Sequence, residues 1–200
     1  MKLPALNFRE ENIATVPNLL TSIRFFVSGY VCYLLVTDGP SIQVGATYAA
    51  WAITDALDGK IARTWPSQAT DFGKRLDPLS DAFAFHTPLW ALAYTSPDWV
   101  SQWIYLASSW LLMARDIYLF KRAMDMERHN EVFPVSPLWK IKTAISMSAL
   151  TILISTAKDY PEIQTIGKWL LGMGAATSLV SLVDYYERFK EKATKRLWWK

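Results

Sequence analysis

Apolar residues along this chain are concentrated in six blocks, which are separated by short polar stretches. Blocks of this length indicate membrane-spanning helices. Several blocks are shorter or more polar than the ~20 apolar residues of a simple span, as expected where helices extend beyond the bilayer or line a wet cavity. We therefore predict an all-α integral membrane protein with six transmembrane helices, at Leu19–Val36, Ile42–Leu57, Ser80–Tyr94, Trp99–Phe120, Ile141–Ala157 and Ile166–Tyr185.

Composition and patterning indicate one membrane domain over residues 1–200. The chain has 200 residues, of which 52% are hydrophobic, and this is enough for one domain. No internal repeat, low-complexity tract or linker to a second domain interrupts the pattern.

Lysine and arginine are distributed unevenly between the two sets of predicted loops. In one set, the loops near Thr37–Ser41, Ser96–Asp98 and Lys158–Lys168, the only basic residues are Lys158 and Lys168. Cytoplasmic segments of membrane proteins are enriched in these residues, so we expect both termini in the cytoplasm, in a bacterial inner membrane or its equivalent. The basic residues of the predicted cytoplasmic side are Lys2, Arg9, Lys60, Arg63, Lys74, Arg75, Lys121, Arg122, Arg128, Lys140 and those of the tail Arg188–Lys200.

The two terminal segments are expected at the membrane surface. The tail Arg188–Lys200 is basic and could be taken for a nucleic-acid arm, but it follows a span directly. It also ends in Trp198 and Trp199, which suit a membrane interface, so we expect membrane lipids and no nucleic acid as partners. Met1–Thr15 lacks the pattern of a cleavable signal peptide and is compatible with an amphipathic surface helix ending at Pro17.

Four aspartates beside the second and third apolar blocks are the main candidate for chemistry. They follow the pattern Asp55-x-x-Asp58-Gly59-x-x-Ala62-Arg63, then nine residues, then Gly73-x-x-x-Asp77-x-x-x-Asp81. In helices, the first two aspartates share a face at spacing three and the last two at spacing four. Acids near apolar runs are costly unless they are paired, and four carboxylates suit Mg²⁺ or Mn²⁺. We therefore predict Mg²⁺ or Mn²⁺ as the cofactor.

This pattern resembles the signature of the CDP-alcohol phosphatidyltransferases, membrane enzymes that move a phosphatidyl or similar group from a CDP-linked lipid to an alcohol and release CMP. Its eight specified positions would coincide by chance about once in 10^10 trials. The resemblance implies that Asp55, Asp58 and Asp77 are metal ligands. It implies that Asp81 is both a ligand and the general base, and that the protein is a homodimer.

The resemblance also implies a nucleotide site at the same end of the helices. Gly59 has no side chain and would let the backbone approach the nucleotide. Arg63 could pair with a diphosphate oxygen or with a neighbouring aspartate, and Asn18 could instead be only the cap of the first helix. The residues assigned to the nucleotide are Asn18, Thr21, Asp55, Gly59, Ala62, Arg63 and Gly73.

Two further segments resemble the acceptor-side motifs of the phosphatidylglycerophosphate synthase and cardiolipin synthase branches of the family. They are Ala114-Arg115-Asp116 and Trp139-Lys140-Ile141-Lys142-Thr143. We expect Arg115, Lys140 and Lys142 to bind a phosphate on the acceptor. The alternative for Lys140 and Lys142 is that they bind no substrate and only contribute to the excess of basic residues that sets the orientation of the protein in the membrane. Asp116 is more typical of the cardiolipin branch, and Lys142 of the other.

The predicted reaction is transfer of phosphatidyl from CDP-diacylglycerol to glycerol 3-phosphate. The first alternative is a CMP-forming cardiolipin synthase with phosphatidylglycerol as acceptor. A more distant alternative is an ion transporter lined by the carboxylates. The opposite half of the membrane has no comparable acids to continue such a path. His86 is interpreted as a core histidine with satisfied hydrogen bonds rather than a proton-transfer group.

Overall fold

A computed structural model describes residues 15–37, 41–64, 71–128, 137–156 and 160–197, without the side chains of residues 17, 54–64, 71–75, 127–128, 137–140 and 191–197. Apart from short connections, the described chain is helical. Its helices are α1 (Val16–Thr37), α2 (Ile42–Thr64), α3 (Asp71–Thr95), α4 (Trp99–Arg128), α5 (Pro137–Thr156) and α6 (Pro161–Leu197).

Each predicted apolar block corresponds to one of these helices, but the helices are longer than the blocks. The largest extensions carry α2 to Thr64, α3 back to Asp71, α4 to Arg128 and α6 to Leu197. All four lie on the side that was predicted to be cytoplasmic. The apolar pattern locates the part of a helix in an apolar environment, whereas the polar turns beyond it stay helical because their backbone hydrogen bonds continue.

Only part of the membrane prediction is supported by the composition of the helices. In the described chain, two stretches are both long and apolar enough to cross a membrane, Asn18–Thr37 and Pro161–Lys190, while Ile141–Thr156 is apolar but shorter. The all-α prediction is confirmed for the described residues. The number of spans is not confirmed by this criterion.

The outer faces of the helices are apolar as well as the inner ones. Phe26, Tyr94, Trp103 and Trp169 each keep more than half of their surface exposed. Helices that are hydrophobic on all sides are typical of proteins embedded in lipid, because a water-soluble helix has a polar outer face. This surface agrees with a membrane environment.

The core lies where α1, α3, α4, α5 and α6 meet, with α2 packed against α1 and α5. Its most deeply buried side chains come from different helices and are fully or almost fully removed from solvent: Val31, Leu35, Tyr48, Leu89, Leu92, Tyr105, Leu112, Leu150, Leu153, Ile154 and Leu171. The arrangement brings the polar ends of α1, α3, α4, α5 and α6 to one side of the molecule.

Glycines allow α5 to lie close to α2 and α6. A Cβ atom at Gly45 in α2 would overlap Ser155, and one at Gly174 in α6 would overlap Ser146. Small residues at such contacts let helix backbones approach closely, as in other membrane helix pairs. Because Ser146 lies one turn beyond Lys142, the second contact also holds the cationic part of α5 against α6.

Three helices begin at a polar cap that precedes the first turn. The hydroxyl of Thr15 accepts the Asn18 backbone N–H at 3.4 Å, and the Asp98 carboxylate accepts that of Ser101 at 2.7 Å. The Ser41 hydroxyl does the same for α2. The alternative that Asn18 caps α1 is therefore wrong, because Thr15 occupies the cap position and Asn18 lies inside the first turn.

Candidate active site

Two of the four predicted aspartates, Asp77 and Asp81, lie one turn apart on α3 and face α1. The Thr21 hydroxyl donates a hydrogen bond of 2.5 Å to Asp77 Oδ1. The Arg24 guanidinium donates to Asp81 Oδ1 at 3.2 Å and lies 3.8 Å from Asp77 Oδ1. About half of each aspartate side chain stays exposed, 53% and 48%, whereas Arg24 is buried. The carboxylates are therefore oriented from one side and accessible from the other.

The remaining residues of the aspartate motif cannot be compared with the prediction at the level of side chains. Asp55, Asp58, Gly59, Ala62 and Arg63 lie in the last turns of α2, and Gly73 lies in the first turn of α3, all outside the described side chains. The helical form that the spacing argument assumed is observed for both segments.

The donors that are described suit the predicted cation. Asp77 and Asp81 offer hard carboxylate oxygens on one helix face, the ligand type of Mg²⁺ and Mn²⁺, and both are accessible. Among the described side chains no group of three or more His, Cys, Asp or Glu could hold a metal ion. The other two predicted ligands, Asp55 and Asp58, lie outside the described side chains.

The predicted acceptor cations Arg115 and Lys142 come together around Asp116. Arg115 Nη1 donates to Asp116 Oδ1 at 2.6 Å, and Lys142 Nζ donates to Asp116 Oδ2 at 3.2 Å. Both cationic side chains are more than 90% buried. This burial distinguishes Lys142 from a solvent-exposed surface charge, and its role stays a prediction. The side chain of Lys140, the third predicted cation, lies outside the description.

Helix α6 completes the surroundings of Arg115. Its Nη2 donates to the Ser181 hydroxyl at 2.9 Å, and its guanidinium carbon lies 5.8 Å from the centre of the Tyr185 ring. A guanidinium over an aromatic face is attracted by the negative ring face. Arg115 is thus held from α4 and α6 with its plane fixed, as recognition of a phosphate requires.

A cavity of about 550 Å³ joins the two groups of charged residues. Asp77 and Asp81 of α3 line one part of its wall, and the cluster of Arg115, Asp116 and Lys142 lines another. Its volume is in the range of small-molecule sites. The apolar part of the wall comes from Phe85, Leu119, Phe120 and Met147, with Tyr185 from α6. The arrangement can place an anionic group near the cations and a hydroxyl near the aspartates.

His86 also lines this cavity and is almost fully buried. Its Nδ1 lies 2.9 Å from the Ser109 hydroxyl of α4. The expectation of a core histidine is confirmed by this burial. The expectation that its polar atoms are satisfied is wrong for Nε2, which has no hydrogen-bond partner among the described residues.

Sequence reasoning assigned no role to three contributors. Arg24 follows Thr21 at helical spacing, and that shared face was the available signal. Asp116 was part of a recognised motif, but its contacts with two cations were not predicted. Ser181 had no signal of its own, because its role depends on the packing of α6 against α4.

Two residues that were predicted to contact the nucleotide, Asn18 and Thr21, are buried and do not belong to the described cavity wall.

Comparison with known proteins gives the same assignment over most of the chain. Residues 14–180 match the family model described as CDP-alcohol phosphatidyltransferase. A probable cardiolipin synthase (CMP-forming) of Drosophila melanogaster is 33% identical over 94% of this chain and 63% of its own length. The CDP-diacylglycerol–glycerol-3-phosphate 3-phosphatidyltransferase of Escherichia coli is 30% identical over 85% of this chain and 92% of its own.

The human cardiolipin synthase (CMP-forming) is 31% identical over 54% of this chain and 34% of its own length. The chain thus spans less than two thirds of the fly protein and about a third of the human one. Relatives of both branches match, and identity alone does not separate the two acceptors.

Proposed function

Because the chain belongs to the CDP-alcohol phosphatidyltransferase family, we propose that it transfers phosphatidyl from CDP-diacylglycerol to glycerol 3-phosphate and releases CMP. The choice of acceptor is supported by two buried cations, Arg115 and Lys142, which lie in the same cavity wall as Asp81. A buried cation is costly unless it has a partner. A phosphate on the acceptor would be a second partner beside Asp116.

The proposed reaction assigns roles to the charged groups of the cavity wall. The acceptor hydroxyl oxygen forms a bond to the lipid phosphorus, the bond from that phosphorus to the bridging oxygen breaks, and CMP leaves with that oxygen. Asp81 receives the hydroxyl proton as general base. Arg24, 3.2 Å from Asp81, holds the carboxylate in place. Arg115 and Lys142 bind the acceptor phosphate and thereby orient the hydroxyl.

We propose that Asp55, Asp58, Asp77 and Asp81 hold Mg²⁺ or Mn²⁺, which when bound would neutralise negative charge on the diphosphate. The support is the accessible pair of carboxylates on α3 and the helical form of both motif segments. The predicted contacts of Asn18, Thr21, Gly59, Ala62, Arg63 and Gly73 with the nucleotide remain part of this proposal.

We further propose that all six helices are inserted in the membrane with both termini in the cytoplasm. The apolar outer surface supports insertion, and the excess of basic residues at the end of the bundle that carries the cavity supports the orientation. Proteins of this family are membrane proteins, and the homodimer implied by the resemblance stays a prediction.

A second candidate acceptor, phosphatidylglycerol, is favoured by two observations. Asp116 offsets one of the two cations, so the cluster has one net positive charge, which matches a phosphate diester better than a monoester. The cavity also has apolar walls, which suit an acceptor with lipid tails. This reaction would be that of a CMP-forming cardiolipin synthase.

The test is an assay of purified protein with CDP-diacylglycerol and each acceptor in turn, measured as CMP release and by identification of the lipid product. Phosphatidylglycerophosphate as the preferred product supports the first proposal. Preference for phosphatidylglycerol replaces it with the second. CMP release that requires neither acceptor, or no release at all, contradicts both.

A further inference from the structure

The position of His86 in the cavity wall has no explanation in the proposed reaction. The side chain is 2% exposed, and its Nε2 has no hydrogen-bond partner among the residues that the structure describes. A buried polar atom without a partner is costly, and most such atoms in proteins are satisfied. A ligand in the cavity could supply the missing hydrogen bond.

The ring of His86 is fixed by its other nitrogen. Nδ1 lies 2.9 Å from the Ser109 hydroxyl on α4, so the imidazole is held between α3 and α4. With Nδ1 occupied, Nε2 is the ring nitrogen that is left for a ligand, and His86 belongs to the cavity wall. The imidazole is therefore anchored as a ligand-binding group would be.

We propose that His86 is a specificity-determining residue, whose Nε2 forms a hydrogen bond with the secondary hydroxyl next to the reacting hydroxyl of a glycerol-type acceptor. This inference rests on the proposed function. It concerns a part of the acceptor that neither the aspartates nor the cations bind.

The groups that share the cavity wall with His86 support this assignment. His86 lies five residues beyond Asp81 on α3, a rise of about 7.5 Å along the helix axis. In glycerol 3-phosphate the reacting hydroxyl and the phosphate are on the two end carbons, with the secondary hydroxyl between them. When Asp81 receives the first and Arg115 and Lys142 bind the second, the middle hydroxyl is the group left for His86.

A hydroxyl also suits either tautomer of the ring. If the Ser109 hydroxyl donates to Nδ1, Nε2 carries a proton and donates. If Nδ1–H donates to Ser109, Nε2 accepts. A hydroxyl can complete both arrangements because it is donor and acceptor, whereas a phosphate oxygen can only accept. The free headgroup of phosphatidylglycerol has a secondary hydroxyl in the same relation to its reacting one, so the inference holds for both candidate acceptors.

The experiment compares acceptors with and without this hydroxyl. Purified wild-type protein and its variants are assayed with CDP-diacylglycerol and either glycerol 3-phosphate or 3-hydroxypropyl phosphate, which keeps the reacting hydroxyl and the phosphate. In parallel, phosphatidylglycerol is compared with phosphatidyl-1,3-propanediol. We expect the wild type to prefer the glycerol compound in kcat/KM by about tenfold, the effect of one hydrogen bond.

The variants assign this preference to the ring. His86→Leu should lower kcat/KM for the glycerol acceptor about tenfold and leave that for the deoxy acceptor within twofold, so that the preference disappears. His86→Gln, which retains a polar group near the Nε2 position, should keep part of it. Ser109→Ala should reduce the preference by loosening the ring, and Ser108→Ala, a matched loss of a neighbouring hydroxyl, should not.

Two results would overturn the inference alone. One is a wild type that uses both acceptors of a pair equally well. The other is a His86→Leu variant that loses activity equally with both, since this marks a structural role. An unchanged KM for CDP-diacylglycerol shows that the variant is folded. Failure of the wild type with all four acceptors would instead overturn the proposed function, and the inference with it.

Discussion

The Asp116 carboxylate of α4 lies 3.2 Å from the Lys142 ammonium of α5 and also binds Arg115 at 2.6 Å. One partly exposed acid thus holds two buried bases at the wall of the cavity. The basic residues need this partner when the cavity contains no anion. The same geometry leaves one net positive charge for an acceptor.

Asp116→Asn should destabilise the protein by about 1–3 kcal/mol, because two buried cations lose their counter-charge. The measurement is thermal unfolding of the purified protein in detergent. The matched control is Asp184→Asn, which removes an exposed pair with Arg188 on α6 and should cost less than about 0.5 kcal/mol. Equal stability losses in the two variants would contradict the role of Asp116.

Arg115→Ala should raise the KM for glycerol 3-phosphate by about ten- to a hundredfold, because a charged hydrogen bond to the phosphate is lost. Lys142→Met should act in the same direction. The KM for CDP-diacylglycerol should change little in either variant. Lys121→Met removes an exposed charge from α4 and serves as control. Wild-type acceptor kinetics in both cavity variants would leave the cations without a binding function.

Asp58→Asn and Asp77→Asn should each abolish transfer, because loss of one anionic ligand weakens the metal site and misplaces the diphosphate. EDTA should have the same effect on the wild type, and excess Mg²⁺ or Mn²⁺ should reverse it. Asp98→Asn changes the capping carboxylate that precedes α4, at the opposite end of the bundle, and should keep activity. Full turnover in EDTA would exclude the metal mechanism.

Thr21→Val should raise the Mg²⁺ concentration for half-maximal activity by about tenfold, with nearly normal turnover at saturating Mg²⁺. The hydroxyl of Thr21 orients the Asp77 carboxylate, and outer partners of metal ligands typically change metal affinity by ~10–100-fold. Ser22→Ala removes the neighbouring hydroxyl, which bonds to the Asn18 carbonyl, and is the control. An unchanged Mg²⁺ dependence would show that this hydrogen bond is only structural.

Asp81→Asn should eliminate turnover and leave binding of CDP-diacylglycerol largely intact, as expected when the missing function is acceptance of the hydroxyl proton. Binding can be measured by titration of the lipid nucleotide into the purified variant. The comparison is with Asp58→Asn, in which binding should fall as well. Similar losses of nucleotide affinity in both would make Asp81 chiefly a metal ligand.

The sequence by itself determined the local features of this protein. The apolar blocks located all six helices, because burial in an apolar environment depends on runs of neighbouring residues. The spacing of Asp77 and Asp81 placed both on one helix face, since 3.6 residues complete a turn. The polar extension of α4 to Arg128 was missed, because hydropathy does not mark a helix that continues into water.

Only the tertiary structure decided which distant residues became partners. Arg24 and Asp81 are 57 positions apart, Arg115 and Ser181 are 66 apart, and Asp116 and Lys142 are 26 apart. These contacts depend on how the helices pack, for example on the close approach of α5 and α6 at Gly174 and Ser146. Such shape complementarity joins side chains from separate helices, and no local pattern in one helix specifies its neighbour.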